Sequence, residues 1–218
     1  QIQTFVPEYV RIMRLMRDIP VSNILGGAKF SNLRQILKDQ PEKLKEIVGE
    51  DFYQKHNLAE TSYIFRDIRA REVGLADLMK QPELATTEPE LVRRNYDASG
   101  GEEVFLSFED AKKDHLFALL RLRKPDQNFK PKYFTRVLHN AALVREVHSY
   151  GSEVSVDENG QSLGQHRGLG KRLLAEAERI AKEDWGLKRV TIIAGVGTRE
   201  YYKKFGYKLK DTYMTKEL

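Results

Sequence analysis

"QHRGLGKRLLAEAERIAKEDWG", residues 165–186, sets two glycines and three cations just ahead of a strongly periodic apolar run. Leu169, Leu173, Leu174, Ala177, Ile180 and Ala181 fall on one stripe of a helix that Gly186 ends. Before it, after a loop rich in Gly, Ser, Asp and Asn, stands the β-type run "AALVREVHSYG"; after it comes "KRVTIIAGV", a second strand. Strand, glycine turn, helix, strand is a β-α-β unit, and it predicts an α/β (α+β) fold. A helix start leaves its first N–H groups unpaired at the positive end of the dipole, where phosphate oxygens bind readily. Gly168 and Gly170 let a pyrophosphate approach the backbone, with Arg167, Lys171 and Arg172 adding charge. The same glycines also suit a turn that only redirects the chain.

Downstream, "GTREYYKKFGYKL" predicts a short helix stopped by Gly206, and "YKLKDTYMTKEL" a last strand. Upstream, "EEVFLSFED" and "HLFALLRLRKP" read as neighbouring strands joined by "EDAKKD". Strict alternation along 141–151 puts Val144, Glu146, His148 and Tyr150 on one face and Leu143, Arg145, Val147 and Ser149 on the other. The long connection at 125–140, with Lys130, Lys132, Tyr133, Phe134 and Arg136, has the length of a lid or a binding element.

Residues 1–92 read as a helical segment and linker, and 93–218 as a second domain. "PEYVRIMRLMRDI", "SNLRQILKDQ" and "PEKLKEIVGEDFYQKH" carry helical patterns. In "SYIFRDIRAREVGL", Tyr63, Phe65 and Ile68 read as buried. In "TEPELVRRNYDA", Thr87, Pro89 and Glu90 form a capping-box pattern that predicts a helix.

The chain has 218 residues, 40% of them hydrophobic, enough for one sizeable core and a smaller second one. It has no cysteine, which excludes disulfides, thiolate metal sites and a cysteine nucleophile. The histidines show no paired metal-ligand spacing, so no metal is expected. A net charge of +5 suits an anionic partner such as nucleic acid or a phosphorylated cofactor. No run reaches the roughly 18–20 apolar residues of a membrane span, so no membrane partner is expected. The opening residues, with neither initiator Met nor signal-peptide core, read as the interior of a longer protein.

"QHRGLG" is similar to the Q/R-x-x-G-x-G/A signature of the GNAT acetyltransferase superfamily, whose loop holds the pyrophosphate of acetyl-coenzyme A. "DIRAREVG", "ALLRLRKP", "LVREVHSYGSEV" and "AGVGTREYYKKFGYKL", with the opening stretch, resemble the C-terminal part of the Elongator catalytic subunit family in its bacterial or archaeal single-protein form. "MRLMRDIP" resembles the close of that family's radical domain.

The resemblance implies a GNAT fold with a central mixed sheet after a small helical segment. It implies an enzyme that builds the carboxymethyl group on carbon five of the tRNA wobble uridine, in the cytoplasm. Acetyl-coenzyme A would supply the two-carbon unit, a deoxyadenosyl radical would activate its methyl group, and the thioester would then be hydrolysed. S-adenosylmethionine and the iron–sulfur cluster would belong to an upstream domain, since this chain lacks the cysteine ligands. The partners implied are acetyl-coenzyme A, the tRNA anticodon region, and other Elongator-like subunits or a second copy.

Cofactor binding is expected at Gln165, Arg167, Gly168, Leu169, Gly170, Lys171 and Arg172. GNAT enzymes place a tyrosine after the second strand to protonate the departing thiolate, which makes Tyr201 and Tyr202 candidates. Neighbouring helix positions point about 100° apart, so one faces the sulfur and the other packs. Glu146 and, with less support, His148 are candidates for activating a water or an amine; a strand carboxylate is also often simply paired with an arginine. Arg11, Arg14, Arg17, Arg66, Arg69, Arg71, Arg93 and Arg94 are expected, as a group, to contact tRNA phosphates. Two other readings use the same residues: a GNAT enzyme acetylating a protein lysine or small amine, and a non-catalytic RNA-binding module.

Overall fold

The computed structural model describes residues 5–14, 21–23, 25–26, 34, 36, 43–55, 65–75, 82–126, 136–150 and 168–218. The chain forms two compact units, Gln1–Arg71 and Glu72–Leu218.

In the first unit, helices α1 (Leu44–Val48) and α2 (Glu50–Lys55) divide one expected helix at Gly49, whose φ of 84° is outside helical space. The pattern expected to make a helix of 7–19 does not do so over Val10–Arg14. There the backbone is engaged from outside: Ile68 N donates to Val10 O at 2.9 Å, and the Arg34 guanidinium bonds both Ile12 O and the Asp67 carboxylate. Asp67 is fully buried just before α3 (Ile68–Arg71), so this ion pair outweighs the local helical preference. Ile68 is buried as expected and Phe65 half-buried; Tyr63 lies outside the described residues.

The second unit is built on one seven-stranded sheet, β1 (Glu90–Ala98), β2 (Gly101–Glu109), β3 (Leu116–Lys124), β4 (Ala141–Ser149), β5 (Arg189–Ile192), β6 (Lys208–Lys210) and β7 (Tyr213–Glu217). Their order is β1-β2-β3-β4-β5-β7-β6, antiparallel except for β4 with β5. The parallel pair is where α4 (Leu169–Arg179) crosses over, which makes the sheet mixed.

Residues 87–98 are not the helix that the capping-box pattern predicts. Glu90–Ala98 pairs residue for residue with β2, from Glu90↔Glu109 to Ala98↔Gly101. Ser99 and Gly100 turn the chain with φ of 46° and 72°, the doubly left-handed conformation that matches strand twist. The Thr87 hydroxyl caps nothing ahead of it and donates back to Glu83 O at 2.9 Å. Residues 92 and 93 are neighbours within β1. The last expected strand is a hairpin, β6 and β7, folded at Asp211 with φ 53°.

α4 lies across β2, β3 and β4. Leu169, Leu173, Leu174 and Ala177 are buried beneath it, and Ile180 and Ala181 continue the stripe into a π-helical turn, Ile180–Asp184. Each fully buried leucine contributes about 1.5–3 kcal/mol. Gly186, at φ 64°, closes the element, and α5 (Arg199–Lys203) runs out at Gly206, φ 87°. Among the described residues no helix is long and apolar enough to cross a membrane.

Candidate active site

β4 is irregular at the point that matters for chemistry. Leu122 pairs with Val144 and Arg121 with Glu146, so two residues of β3 face three of β4, and Arg145 is the bulged one. The strict alternation expected for this strand therefore fails: Val144, Val147 and Ser149 share the α4 side, with Leu122, Leu120 and Ala118 opposite them. Arg145 and Glu146 share the other side, where their partners Glu103 and Arg121 stand.

The bulge also re-aims the backbone. Tyr150 N donates to Phe117 O at 2.7 Å, which makes Ser149 and Ala118 a non-hydrogen-bonded pair; Val147 and Leu120 follow by alternation. The peptide groups of Val147 and Ser149 therefore point away from β3. On that side β5 has stopped: the register ends at Val144↔Ile192, and Ile193 N to Val144 O at 3.1 Å closes the ladder.

The start of α4 faces this opening. Gly168 is its N-cap at φ 86° and ψ 0°; among the described residues no side chain caps this start and none lies within 4 Å of where a Cβ would project. An uncapped helix start suits an anion, so these residues fit the pyrophosphate of acetyl-coenzyme A. Gly170 is needed for a different reason: a Cβ there would meet the Tyr201 hydroxyl at 2.8 Å, with Ser149 Oγ at 3.8 Å. Lys171 and Arg172 are both exposed, and the Arg172 guanidinium lies 4.4 Å from the Phe108 ring centre. Leu169 is buried beneath the helix. Gln165, Arg167 and residues 127–135 of the long connection lie outside the described residues.

The two tyrosines of α5 diverge. Tyr201 is 40% exposed, and its hydroxyl reaches the first turn of α4. Tyr202 is buried, edge-on to Tyr207 at 6.2 Å between ring centres. Tyr202 and Phe205 hold the Tyr201 ring edge-on at 5.2 and 4.9 Å. Burial raises the Tyr201 hydroxyl above the ordinary value of 10.0; for Tyr202 burial does the same, with Tyr201 adding to it.

Glu146 is paired with Arg121 at 3.0 Å, and Arg121 also donates to the Tyr96 hydroxyl at 3.3 Å. The carboxylate is thus held on the face opposite α4. His148, on the same face, stacks on Tyr150 at 4.4 Å between ring centres. Among the described residues no group of three metal-ligating side chains forms.

The candidate arginines differ in burial and in their partners. Arg71 is buried and donates to the carbonyls of Arg66 and Glu8. Arg94 is held in a two-pronged bond to the fully buried Glu109, at 2.8 and 3.0 Å. Arg93 bonds Asp184 at 2.6 Å, and Arg66 bonds Glu8 at 3.1 Å. Arg14, Arg66, Arg69 and Arg93 face solvent, and Arg11 is half-buried. Arg17 lies outside the described residues. Val147, Ser149, Arg121 and Glu103 are not apparent in the sequence as site residues, because alternation gives no sign of the bulge that gathers them.

The family model described as "Acetyltransferase (GNAT) family" matches residues 73–207. A protein named tRNA uridine(34) acetyltransferase from Dehalococcoides mccartyi is 43% identical over all of this chain, which covers 42% of that protein. Elongator complex protein 3 of Dictyostelium discoideum is 40% identical, again over the whole chain and 35% of the relative. Among solved structures, the archaeal Elp3 of Methanocaldococcus infernus, with an N-terminal deletion, superposes with a TM-score of 0.70 at 40% identity; 99% of this chain and 46% of that one are covered. The chain thus spans less than half the length of these relatives.

Proposed function

Because the chain belongs to the acetyltransferase (GNAT) family, we propose that it binds and hydrolyses acetyl-coenzyme A as the donor half of a tRNA uridine-34 carboxymethylating enzyme. The observation that carries this reading is the convergence of three donor sets on one opening: the start of α4, the re-aimed amides of β4, and the Tyr201 hydroxyl. Bound acetyl-coenzyme A supplies the activated two-carbon unit.

The N–H groups at Gly168, Leu169 and Gly170 take the pyrophosphate, with Gln165, Arg167, Lys171 and Arg172 around it. Val147 and Ser149 stand two residues apart on the strand, so one of their two N–H groups takes the thioester oxygen and stabilises the charge that develops there. Tyr201 gives its proton to the departing thiolate; a hydroxyl raised above its ordinary value stays protonated for this at neutral pH. Tyr202 braces Tyr201 from the core. Glu146, paired with Arg121, orients the attacking water; as the water adds and the thiol leaves, the water's proton passes to solvent and Tyr201 is reprotonated from solvent. With no cysteine to ligate a cluster, this chain is assigned no part in the radical step. The names of the relatives support tRNA as partner, and the exposed Arg14, Arg66, Arg69 and Arg93 are the phosphate contacts proposed for it.

The test is free-thiol release from acetyl-coenzyme A with and without tRNA, with Gly168→Trp as the blocked site, since the indole would project from the helix start where no described residue lies within 4 Å of its Cβ. Turnover that rises with tRNA and disappears in the variant supports the proposal. Turnover that is indifferent to tRNA but stimulated by a polyamine or a lysine peptide replaces it with ordinary amine acetylation. Retained tRNA binding with no turnover under any condition leaves an RNA-binding module.

A further inference from the structure

Glu103 takes no part in the chemistry proposed above, yet three donors converge on it. Its carboxylate is 2% exposed and accepts the Tyr96 hydroxyl at 2.7 Å, Arg123 at 2.9 Å and the guanidinium of Arg145. Arg145 is the bulged residue of β4, and Glu103 is on β2. Their bond therefore spans β3, two strand spacings or about 9–10 Å. Glu146, the other half of the bulge, is fixed to β3 by Arg121. Burial works against a charge on Glu103, but the hydrogen bonds from Tyr96 and Arg123, with the charge and hydrogen bond of Arg145, outweigh it and hold the carboxyl below its ordinary value.

The bulge decides which amides face the opening. In a regular ladder, the side presented by every residue after Val144 would be exchanged, and Glu146 and His148 would replace Val147 and Ser149. We infer that Glu103 is a positioning residue: through Arg145 it clamps the β4 bulge to β2 and so turns the Val147 and Ser149 N–H groups into the opening, where one of them takes the thioester oxygen. This rests on the acetyl-coenzyme A reading above. Tyr96 bonds the other carboxylate oxygen and Arg123 shares Oε1 with Arg145, so the clamp is a charge-assisted network with its central carboxylate out of water.

Coenzyme A, which lacks the thioester oxygen, separates this role from a purely structural one. The affinities of acetyl-coenzyme A and coenzyme A are measured by calorimetry on the full chain for Glu103→Gln, Arg145→Ala, the double variant and Arg123→Ala. Coenzyme A affinity is expected to stay within about twofold, while the preference for acetyl-coenzyme A is lost and thioester hydrolysis falls about 10- to 100-fold. The double variant should be no worse than either single one. Arg123→Ala, which costs Glu103 a partner but leaves the bulge clamped, should lower Tm and keep the preference. Equal weakening of both ligands, or an unchanged preference, overturns the inference. If the parent protein binds neither ligand, the acetyl-coenzyme A reading is what fails, and amide exchange then decides the clamp alone. Faster exchange at Glu146 and His148 in Glu103→Gln and Arg145→Ala, with the β1–β2 hairpin unchanged, supports it; unchanged exchange refutes it.

Discussion

Gly170→Ala should separate stability from catalysis. The position is the second residue of α4, in ordinary helical space, where alanine is favoured over glycine by up to about 0.8–1 kcal/mol. The new Cβ would lie 2.8 Å from the Tyr201 hydroxyl, against 3.4 Å or more for an ordinary contact. The hydroxyl must therefore move by roughly 0.6 Å, and Tyr202 and Phe205, packed edge-on, limit the directions open to it. A proton donor works over about 2.6–3.2 Å, and a misplacement of about 1 Å costs on the order of 100-fold. A loss of roughly tenfold in kcat is expected, with Tm unchanged or raised by about 1–4 °C. Thiol release and thermal melts on the same preparations measure both. In a Tyr201→Phe background the obstructing oxygen is gone, so Gly170→Ala should have no further effect on kcat. Normal kcat in Gly170→Ala, or losses that multiply in the double variant, would refute the assignment of Tyr201.

Tyr201→Phe should lower kcat by about 100-fold or more with little change in coenzyme A affinity, while Tyr202→Phe should leave kcat within a few-fold, both read by steady-state thiol release. Because burial raises the Tyr201 hydroxyl above 10.0, its ionisation should contribute no loss of kcat between pH 7 and 9; a fall appears only above pH 10 in a pH–rate profile. Tyr207, buried and donating to Glu178 at 2.9 Å, is raised much further; below pH 10 its contribution to stability is complete, and it is lost as pH rises above 10 and the unfolded tyrosine ionises first. Denaturant midpoints that stay level from pH 9 to 11 would contradict this. Arg94→Ala strands the fully buried Glu109 carboxylate and should cost about 3–5 kcal/mol by urea unfolding. Gly101→Ala, whose Cβ would lie 2.6 Å from Lys124 O, should cost about 1–3 kcal/mol, because that obstacle is backbone.

The β-α-β unit is legible because one uninterrupted helical stripe stands between two β-rich runs. Leu169 to Ala181 keeps one stripe, and Gly168 stands where φ of 86° requires it. Gly170 looked like a second ligand-facing glycine; its partner, the Tyr201 hydroxyl, is 31 residues away and leaves no local trace. At β1 Thr87, Pro89 and Glu90 imitate a helix start, while the decisive signal is the alternation of Val92, Arg94 and Tyr96 with Arg93, Asn95 and Asp97, followed by Ser99-Gly100. Local propensity lost there to nine cross-strand pairs. The bulge at Arg145 was invisible for the reason that makes it useful: alternation is a property of one strand, whereas a bulge is a mismatch between two. Nor could the sequence separate a solvated arginine from Arg71 and Arg94, whose anionic or carbonyl partners come from distant parts of the chain.

The most direct measurement is an amide chemical-shift titration of the full chain with acetyl-coenzyme A and, separately, with coenzyme A. The account predicts that both ligands move the Gly168, Leu169 and Gly170 amides, and that at Val147 or Ser149 one amide moves with acetyl-coenzyme A and not with coenzyme A. Shifts at Val147 and Ser149 that are the same for both ligands, or shifts that avoid both the start of α4 and the end of β4, would contradict it.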